Sequence, residues 1–132
     1  MLEEGIKQRL ATFSETQAIV GDSVFPLQLP PEQNVPALVY AIVSTSPVLG
    51  ISGQNNLTKK RLQVDGYDKT YAGIKALEKA VNHALLNFQG TLVDADSTYV
   101  DSIYTNNAVD LFESDANLYR VMLDFDVWFI AT

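Results

Sequence analysis

The stretch RLQVDGYDKTYAGIKALEKAVNHALLNFQG, residues 61–90, decides the fold. Its first six residues alternate between polar and apolar positions, which predicts a half-buried strand. Asp68 and Thr70 then offer side-chain oxygens suited to a helix N-cap. The apolar residues after them recur at spacings of three and four, which places them on one stripe of an α-helix: Ile74, Leu77, Val81, Leu85 and Phe88. Gly90 is suited to the left-handed C-terminal end of that helix.

A helix with one apolar stripe needs a sheet to cover, and the flanking chain provides strands. Residues 37–43 form a short, continuously apolar run, which favours a buried strand. Residues 118–130 alternate, with six apolar side chains on one side and mainly polar ones on the other, as in an antiparallel sheet covered on one face. We therefore predict one α+β domain over residues 1–132. It has a mostly antiparallel sheet of about four to six strands, with two main helices packed on one face.

The N-terminal third gives weaker signals. Apolar residues at helical spacing predict a first helix over residues 2–13. Residues 23–27 are expected to be a short extended piece. Four prolines between residues 26 and 36 predict a stiff, extended connector, because proline fixes its own φ angle and restricts the preceding residue.

Two further segments contain many turn-forming residues. Residues 44–56 include one proline, two glycines and an Asn-Asn pair, which predicts a loop. Residues 106–117 are polar and acidic, which predicts a second loop with a helical turn at residues 109–112. Brief strands are expected at residues 91–94 and 98–105.

The net charge of −7 lies entirely in the last third of the chain. Acids and bases balance over residues 1–90, whereas residues 91–132 hold eight acids and only Arg120. Such a surface repels phosphate and argues against tight nucleic-acid binding. It suits a wall past which DNA slides without sticking.

Composition excludes several classes of protein. The chain has no cysteine, so disulfides and thiolate metal sites are absent. No apolar run reaches the roughly 20 residues of a membrane span. The acidic start Met1-Leu2-Glu3-Glu4 lacks the features of a secretion signal.

Residues with catalytic potential have simpler interpretations. His83 is the only histidine, and it lies opposite the apolar stripe of its helix, so we expect it to face solvent. Asp94, Asp96 and Asp101 do not match a calcium loop, which needs a glycine and a bidentate glutamate at fixed positions. No metal site, cofactor or catalytic residue is predicted.

Asp124 and Asp126 share one strand face with Arg120 and Trp128. Paired carboxylates are able to perform acid–base chemistry. An ion pair with Arg120 or contact with a neighbouring subunit is the preferred interpretation, because aromatic residues are enriched at interfaces. Packing of this face beneath the chain's own helix is the equally weighted alternative.

The sequence resembles the tail-completion and tail-terminator family of long-tailed bacteriophages and prophages. The resemblance rests on blocks that occur in order across nearly the whole chain: Phe25-Pro26-Leu27-Gln28-Leu29-Pro30, Pro36-Ala37-Leu38-Val39-Tyr40, Arg61-Leu62-Gln63-Val64-Asp65 with Tyr71 and its helix, Tyr119-Arg120-Val121, and Asp124-Phe125-Asp126-Val127-Trp128. Each block is a structural pattern rather than a catalytic signature.

This resemblance implies a non-enzymatic structural subunit of the virion, assembled in the bacterial host cytoplasm. Six copies typically form a ring that caps the head-proximal end of the tail tube and stops tube polymerisation. The partners would be other copies of the chain, the tail tube protein and the head connector or neck protein. The free subunit is expected to be a monomer if assembly needs the tube as template. DNA would pass through without specific binding, and no membrane is involved.

Two sets of residues follow as candidates. Contact with the tube or the adjacent subunit is expected from the loop of residues 46–56 and from the last strand, through Ser46, Leu49, Ile51, Gln54, Asn55, Asn56, Arg120 and Trp128. The acidic wall of the lumen is expected to comprise Asp94, Asp96, Asp101, Asp110, Glu113 and Asp115. The alternatives are a neck protein on the head side of the joint and, from a different class, a small hydrolase or metal-binding enzyme that uses Asp124 and Asp126.

Overall fold

The computed structural model describes residues 1–31, 34–47, 57–86 and 88–130. Within these ranges the chain forms three helices and six strands. Their order is α1 (Leu2–Thr12), α2 (Ser14–Val20), β1 (Val24–Pro26), β2 (Ala37–Pro47), β3 (Leu57–Asp68), α3 (Tyr71–Leu85), β4 (Gly90–Thr91), β5 (Tyr99–Glu113) and β6 (Leu118–Ile130). None of the described helices is long and apolar enough to cross a membrane.

The strands form one sheet in the order β1-β2-β3-β6-β5-β4. β1 and β2 run parallel, and every other neighbouring pair is antiparallel. The predicted α+β class is confirmed. β6 has the predicted bounds, whereas β3 extends at both ends of the expected strand because its whole length pairs with β6.

The core lies between one face of the sheet and the helices. On α3, the four stripe residues Ile74, Leu77, Val81 and Leu85 are fully buried. On β6, the alternating apolar residues Val121, Leu123, Phe125, Val127 and Phe129 are buried against them. One-sided burial of β6 is therefore confirmed. Apolar residues of α1 and α2 join the same cluster, so three helices rather than two form the helical layer.

Helix α3 begins as predicted and ends earlier. The Thr70 hydroxyl accepts a hydrogen bond from the Gly73 amide at 3.0 Å, which caps the helix N-terminus. The helix ends at Leu85 because Leu86 adopts an extended conformation, so Phe88 lies beyond it. The prediction that Gly90 terminates this helix is wrong. Gly90 instead starts β4, with a φ of 146° that glycine tolerates.

The predicted helix over residues 2–13 is two helices. Phe13 is extended (φ −65°, ψ 130°) and separates α1 from α2. The Thr16 hydroxyl donates to the carbonyl of Leu10 and fixes the angle between the two helices. Arg9 stacks against the Phe13 ring and donates from Nε to the Ala84 carbonyl at 2.9 Å. These tertiary contacts place a helix end where the apolar spacing shows no break.

Gly5 marks the closest approach of α1 to the chain after β4. A Cβ atom at this position would lie 2.6 Å from Leu92 Cβ. Gly5→Ala should therefore destabilise the protein by about 1–2 kcal/mol, since the clash outweighs the roughly 1 kcal/mol gained in helix propensity. Urea denaturation measures the change. Lys7→Ala, at an exposed position of the same helix, is the control and should stay within about 0.5 kcal/mol of the parent. A stabilised Gly5→Ala variant would contradict the close packing.

The first part of each predicted loop is a strand instead. β2 continues to Pro47, where residues 44–47 pair with β3, and residues 48–56 lie outside the described part of the chain. β5 continues to Glu113, so neither the loop at residues 106–113 nor the helical turn at residues 109–112 forms. Pairing with a long neighbouring strand overrides the weak local preference of serine, threonine and asparagine. A tight turn at residues 114–117 joins β5 to β6.

Candidate assembly surfaces

The sheet face opposite the helices, here called the open face, carries several paired charges. β3 contributes Lys59, Arg61, Gln63, Asp65 and Tyr67, and β6 contributes Arg120, Met122, Asp124, Asp126 and Trp128. These residues alternate along each strand with the core residues, which places them on the other side of the sheet. The alternative in which this face of β6 packs beneath the chain's own helices is therefore wrong.

Ion pairs cross the open face diagonally between β3 and β6. Arg61 donates to Asp124 at 2.8 Å, and Arg120 donates to Asp65 at 2.6 Å. In each pair the residues are two positions out of register, within the reach of long side chains. The predicted ion pair of Asp124 or Asp126 with Arg120 is therefore wrong. Arg120, Asp124 and Asp126 do share one face of β6, as predicted. The ionic partners of Arg120 and Asp124 on this face, however, come from the neighbouring strand β3.

Arg120 bridges two acids through its two terminal nitrogens. It donates to Asp65 and, at 2.9 Å, to Glu113. Burial raises the pKa of Asp65, and the hydrogen bonds from Arg120 and Gln63 oppose that rise. Burial lowers the pKa of Arg120, but Glu113 and Asp65 outweigh it and hold the pKa above its ordinary value. Asp65 is only 4% exposed, so its charge depends on this guanidinium.

Asp124 and Asp126 are engaged differently. Asp124 is largely buried and bonded to Arg61, whereas Asp126 accepts from Asn106 at 3.2 Å and lies 3.9 Å from Lys59. Within the described ranges, no three histidine, aspartate or glutamate side chains converge as metal ligands would. The geometry is therefore that of two carboxylates, each paired with a cation of the same sheet.

His83 lies on the opposite side of the molecule, on α3. It is about half exposed, as predicted, and its Nδ1 lies 2.8 Å from the Glu15 carboxylate on α2. This partner could not be anticipated, because α2 was not predicted.

A shallow groove of about 500 Å³ lies at one end of the open face. The connector between β1 and β2 forms one wall, and the ends of β3, β5 and β6 form the other. Its lining comprises Leu29, Pro30, Pro31, Tyr67, Glu113, Asp115, Ala116, Leu118 and Arg120. Burial raises the pKa of Tyr67. Both terminal nitrogens of Arg120 already bond to acids of the chain, so Arg120, Asp65 and Glu113 are paired with one another.

The predicted acidic residues lie in separate places. Asp94 and Asp96 lie beside the N-terminus, where the Met1 ammonium is 3.4 Å and 2.8 Å from their carboxylates. The side chain of Asp94 is fully buried and accepts from the amide and hydroxyl of Thr98. Asp94 thus secures a turn within the chain.

The other four acids lie on or after β5. Asp101 is exposed near the start of β5, and Asp115 lies in the turn before β6. Asp110 accepts from the Tyr71 hydroxyl at 2.8 Å and from Lys75 at 3.0 Å, whereas Glu113 pairs with Arg120. Hydrogen bonds from Lys75 and Tyr71 hold the pKa of Asp110 below its ordinary value. The contacts from α3 could not be anticipated while residues 106–117 were interpreted as a loop.

Asp94 should make stability depend on pH. Burial raises its pKa, but the Thr98 hydrogen bonds and the N-terminal ammonium outweigh it, so the pKa lies below the ordinary value of 3.8. Its stabilising contribution is therefore present above that pH and is lost as the pH falls through the folded-state pKa. Asp94→Asn should lose about 1 kcal/mol at pH 7 in urea denaturation, with the deficit shrinking below about pH 4. Asp115→Asn, in an exposed turn, is the control and should change stability by less than about 0.5 kcal/mol at pH 7. An equal loss of stability at pH 7 and below about pH 4 would contradict a lowered pKa for Asp94.

The predicted contact residues are only partly described. Leu49, Ile51, Gln54, Asn55 and Asn56 lie outside the described residues, and for Ser46 only its backbone position on β2 is described. Trp128 is half-buried on the open face, with Lys59 Nζ 5.6 Å from its ring centre. Arg120 and Trp128 therefore share one surface.

Comparison with known proteins identifies the family. A family model described as "Tail completion protein gp17" matches residues 4–130, which spans all the described helices and strands except the first two residues of α1. The chain belongs to this family. The resemblance stated from sequence is thereby confirmed, and the chain is a structural protein of a phage-like tail.

A solved structure shares the fold of this family member. It is a chain of a particle titled "Virion of native gene transfer agent (GTA) particle", with a TM-score of 0.72. The alignment covers 98% of this chain and 95% of that chain, at 17% sequence identity. No curated protein sequence matches.

Proposed function

We propose that this chain forms a ring, typically of six copies, that caps the head-proximal end of the tail tube. The ring stops tube polymerisation and presents the surface that docks to the head connector. The observation that carries this proposal is the family match over residues 4–130. Tail completion requires a subunit that binds both its own copies and a neighbouring component, and a half-covered sheet provides suitable surface.

The surfaces of the chain fit that role. The open face presents aromatic rings, two arginines and Met122, which are residue types enriched at interfaces. Contact with the tube or the adjacent subunit is proposed for the segment from Ser46 to Asn56 and for Arg120 and Trp128. Deleting part of residues 48–56 should leave the fold intact and abolish capping, and tails of normal length in such a mutant would refute this contact.

The acidic lumen is a separate proposal. Asp94 has no exposed side chain, so the proposed wall retains the other members of the set: Asp96, Asp101, Asp110, Glu113 and Asp115. Like-charge repulsion would keep the DNA backbone from sticking to them. A ring structure with these carboxylates on the outer rim would eliminate the proposal.

Electron microscopy of particles assembled without this protein tests the capping role. A terminator predicts overlong tails, because nothing stops polymerisation of the tube. A neck protein on the head side predicts full heads without tails and free tails of normal length. Expression of the intact chain from a plasmid should restore normal particles and is the control.

We propose that this role involves no catalysis, because the carboxylates of the open face neutralise cations of the same sheet. Asp126→Asn should leave particle assembly and infectivity intact. Loss of infectivity with unchanged ring assembly would instead favour the enzyme hypothesis.

A further inference from the structure

β5 presents a long free edge. β6 pairs along one side of β5, whereas on the other side the two-residue strand β4 pairs only with Tyr99 and Val100. Residues 101–113 therefore have no strand partner on that side within the described chain. Residues 104–112 are all exposed. We call residues 101–113 the β5 edge.

β2 presents a second free edge at the other side of the sheet. β1 pairs with β2 only at residues 38–40. Residues 41–47, here called the β2 edge, have no partner on that side among the described strands. Unpaired strand edges carry outward N–H and C=O groups that readily bind another strand.

We propose that the β5 edge of one copy pairs, antiparallel, with the β2 edge of the next copy. This inference rests on the proposed ring and assigns the contact that holds it together. Each copy would use two different edges, which gives the heterologous, head-to-tail contact from which rings close.

The strand directions favour this partner. The four long strands β2, β3, β6 and β5 alternate in direction across the sheet. β5 therefore runs opposite to β2. A next copy, related by a modest rotation about a ring axis roughly parallel to the strands, places its β2 antiparallel to the preceding β5. The alternation of strand direction then continues from one copy into the next.

The unpaired parts of the two edges also lie at the same position along the strand direction. Ser44 pairs with Arg61, Arg61 with Asp126, and Asp126 with Tyr104, so Ser44 and Tyr104 lie level across the sheet. All four belong to the same face. Level docking of the next copy would place its Ser44 opposite Tyr104, within the span where both edges are free.

Charge disfavours pairing of identical edges. The β5 edge carries Asp101, Asp110 and Glu113 and no base, so two β5 edges would bring like charges together. The β2 edge carries no charge, and Lys59, Lys60 and Arg61 lie on the next strand behind it. The two different edges are thus the compatible pair.

Apolar exposure is concentrated on the same strands. Of the ten large apolar side chains exposed in the described part of the chain, five lie on these two edges: Val43, Tyr104, Val109, Leu111 and Phe112. A long, exposed, partly apolar strand promotes aggregation unless something pairs with it. Level docking of a second copy would cover Tyr104 of one copy and Val43 of the next.

Disulfide trapping tests the contact, since the chain has no cysteine of its own. The variants combine Ser44→Cys with Ser102→Cys, Tyr104→Cys or Asn106→Cys, which allows for a shift of two residues in either direction. Each is assembled with tail tube protein, oxidised and run on a non-reducing gel. Native mass spectrometry of the unoxidised sample records whether rings form. Ser44→Cys with Lys79→Cys, on the exposed side of α3, is the matched control.

A ladder extending above dimer in at least one edge pair, and absent from the control, is the expected result. Dimers from Tyr104→Cys alone would show like edges pairing and would overturn the proposal. Rings without any edge-specific crosslink would also overturn it, while leaving the proposed function standing. If the cysteine-free chain forms no ring beside tubes, the proposed function fails as well.

Discussion

Arg120→Met should lower the free energy of unfolding by about 3 kcal/mol at pH 7, because it leaves a buried carboxylate without its cation. Asp65 is 4% exposed and would retain only the hydrogen bonds from Gln63 at 3.1 Å. Methionine keeps much of the arginine's apolar length, so the loss reports mainly on charge. Urea denaturation followed by circular dichroism measures it.

Three comparisons separate this effect from a general loss of packing. Asp65→Asn combined with Arg120→Met should recover much of the stability, because the buried charge is gone. Lys79→Met removes an exposed cation and should change stability by less than about 0.5 kcal/mol. In Arg120→Met alone, the deficit should shrink at low pH as Asp65 takes up a proton. A deficit independent of both Asp65 and pH would show that the pair is not responsible.

Phe125→Ala should cost about 4 kcal/mol, the larger of the two effects, because it leaves a cavity in the centre of the core. Phe125 is fully buried, on β6. It belongs to the cluster that joins the sheet to the stripe of α3. Thermal and urea unfolding should both detect the loss.

Two variants serve as controls for the cavity. Phe125→Leu keeps most of the volume and should cost about 1.5 kcal/mol or less. Phe112→Ala removes the same side chain where it is half exposed, and should cost much less than Phe125→Ala. Equal losses at Phe112 and Phe125 would contradict the assignment of the helix-facing side of β6 as the core.

The core could be predicted from sequence because its periodicity is strong and local. The stripe from Ile74 to Leu85 and the alternation along β6 follow directly from which face is buried. Thr70 could be predicted because its hydroxyl caps a backbone amide three residues away.

Elements defined by distant partners were missed. β5 carries Asn106 and Asn107, typical of turns, yet pairing with β6 holds them in a strand. The end of α1 at Thr12 depends on Thr16 and Arg9, and the apolar pattern shows no interruption there. In each case a long-range contact outweighs a local preference.

In the candidate surfaces, too, local patterns could be predicted and long-range partners could not. The face shared by Arg120, Asp124 and Trp128 was predicted from alternation alone. Their partners Arg61 and Asp65 lie on β3, and the pairing follows from strand register, which the sequence alone did not fix. The two free edges emerged only with the strand order, because each depends on which neighbour is short.

Native mass spectrometry of the chain over a concentration series, with and without tail tube protein, tests the central claim most directly. We expect complexes at a fixed multiple of the 14.6 kDa subunit to appear when tubes are present. Subunits that remain monomeric at every concentration, even beside assembled tubes, would contradict the ring.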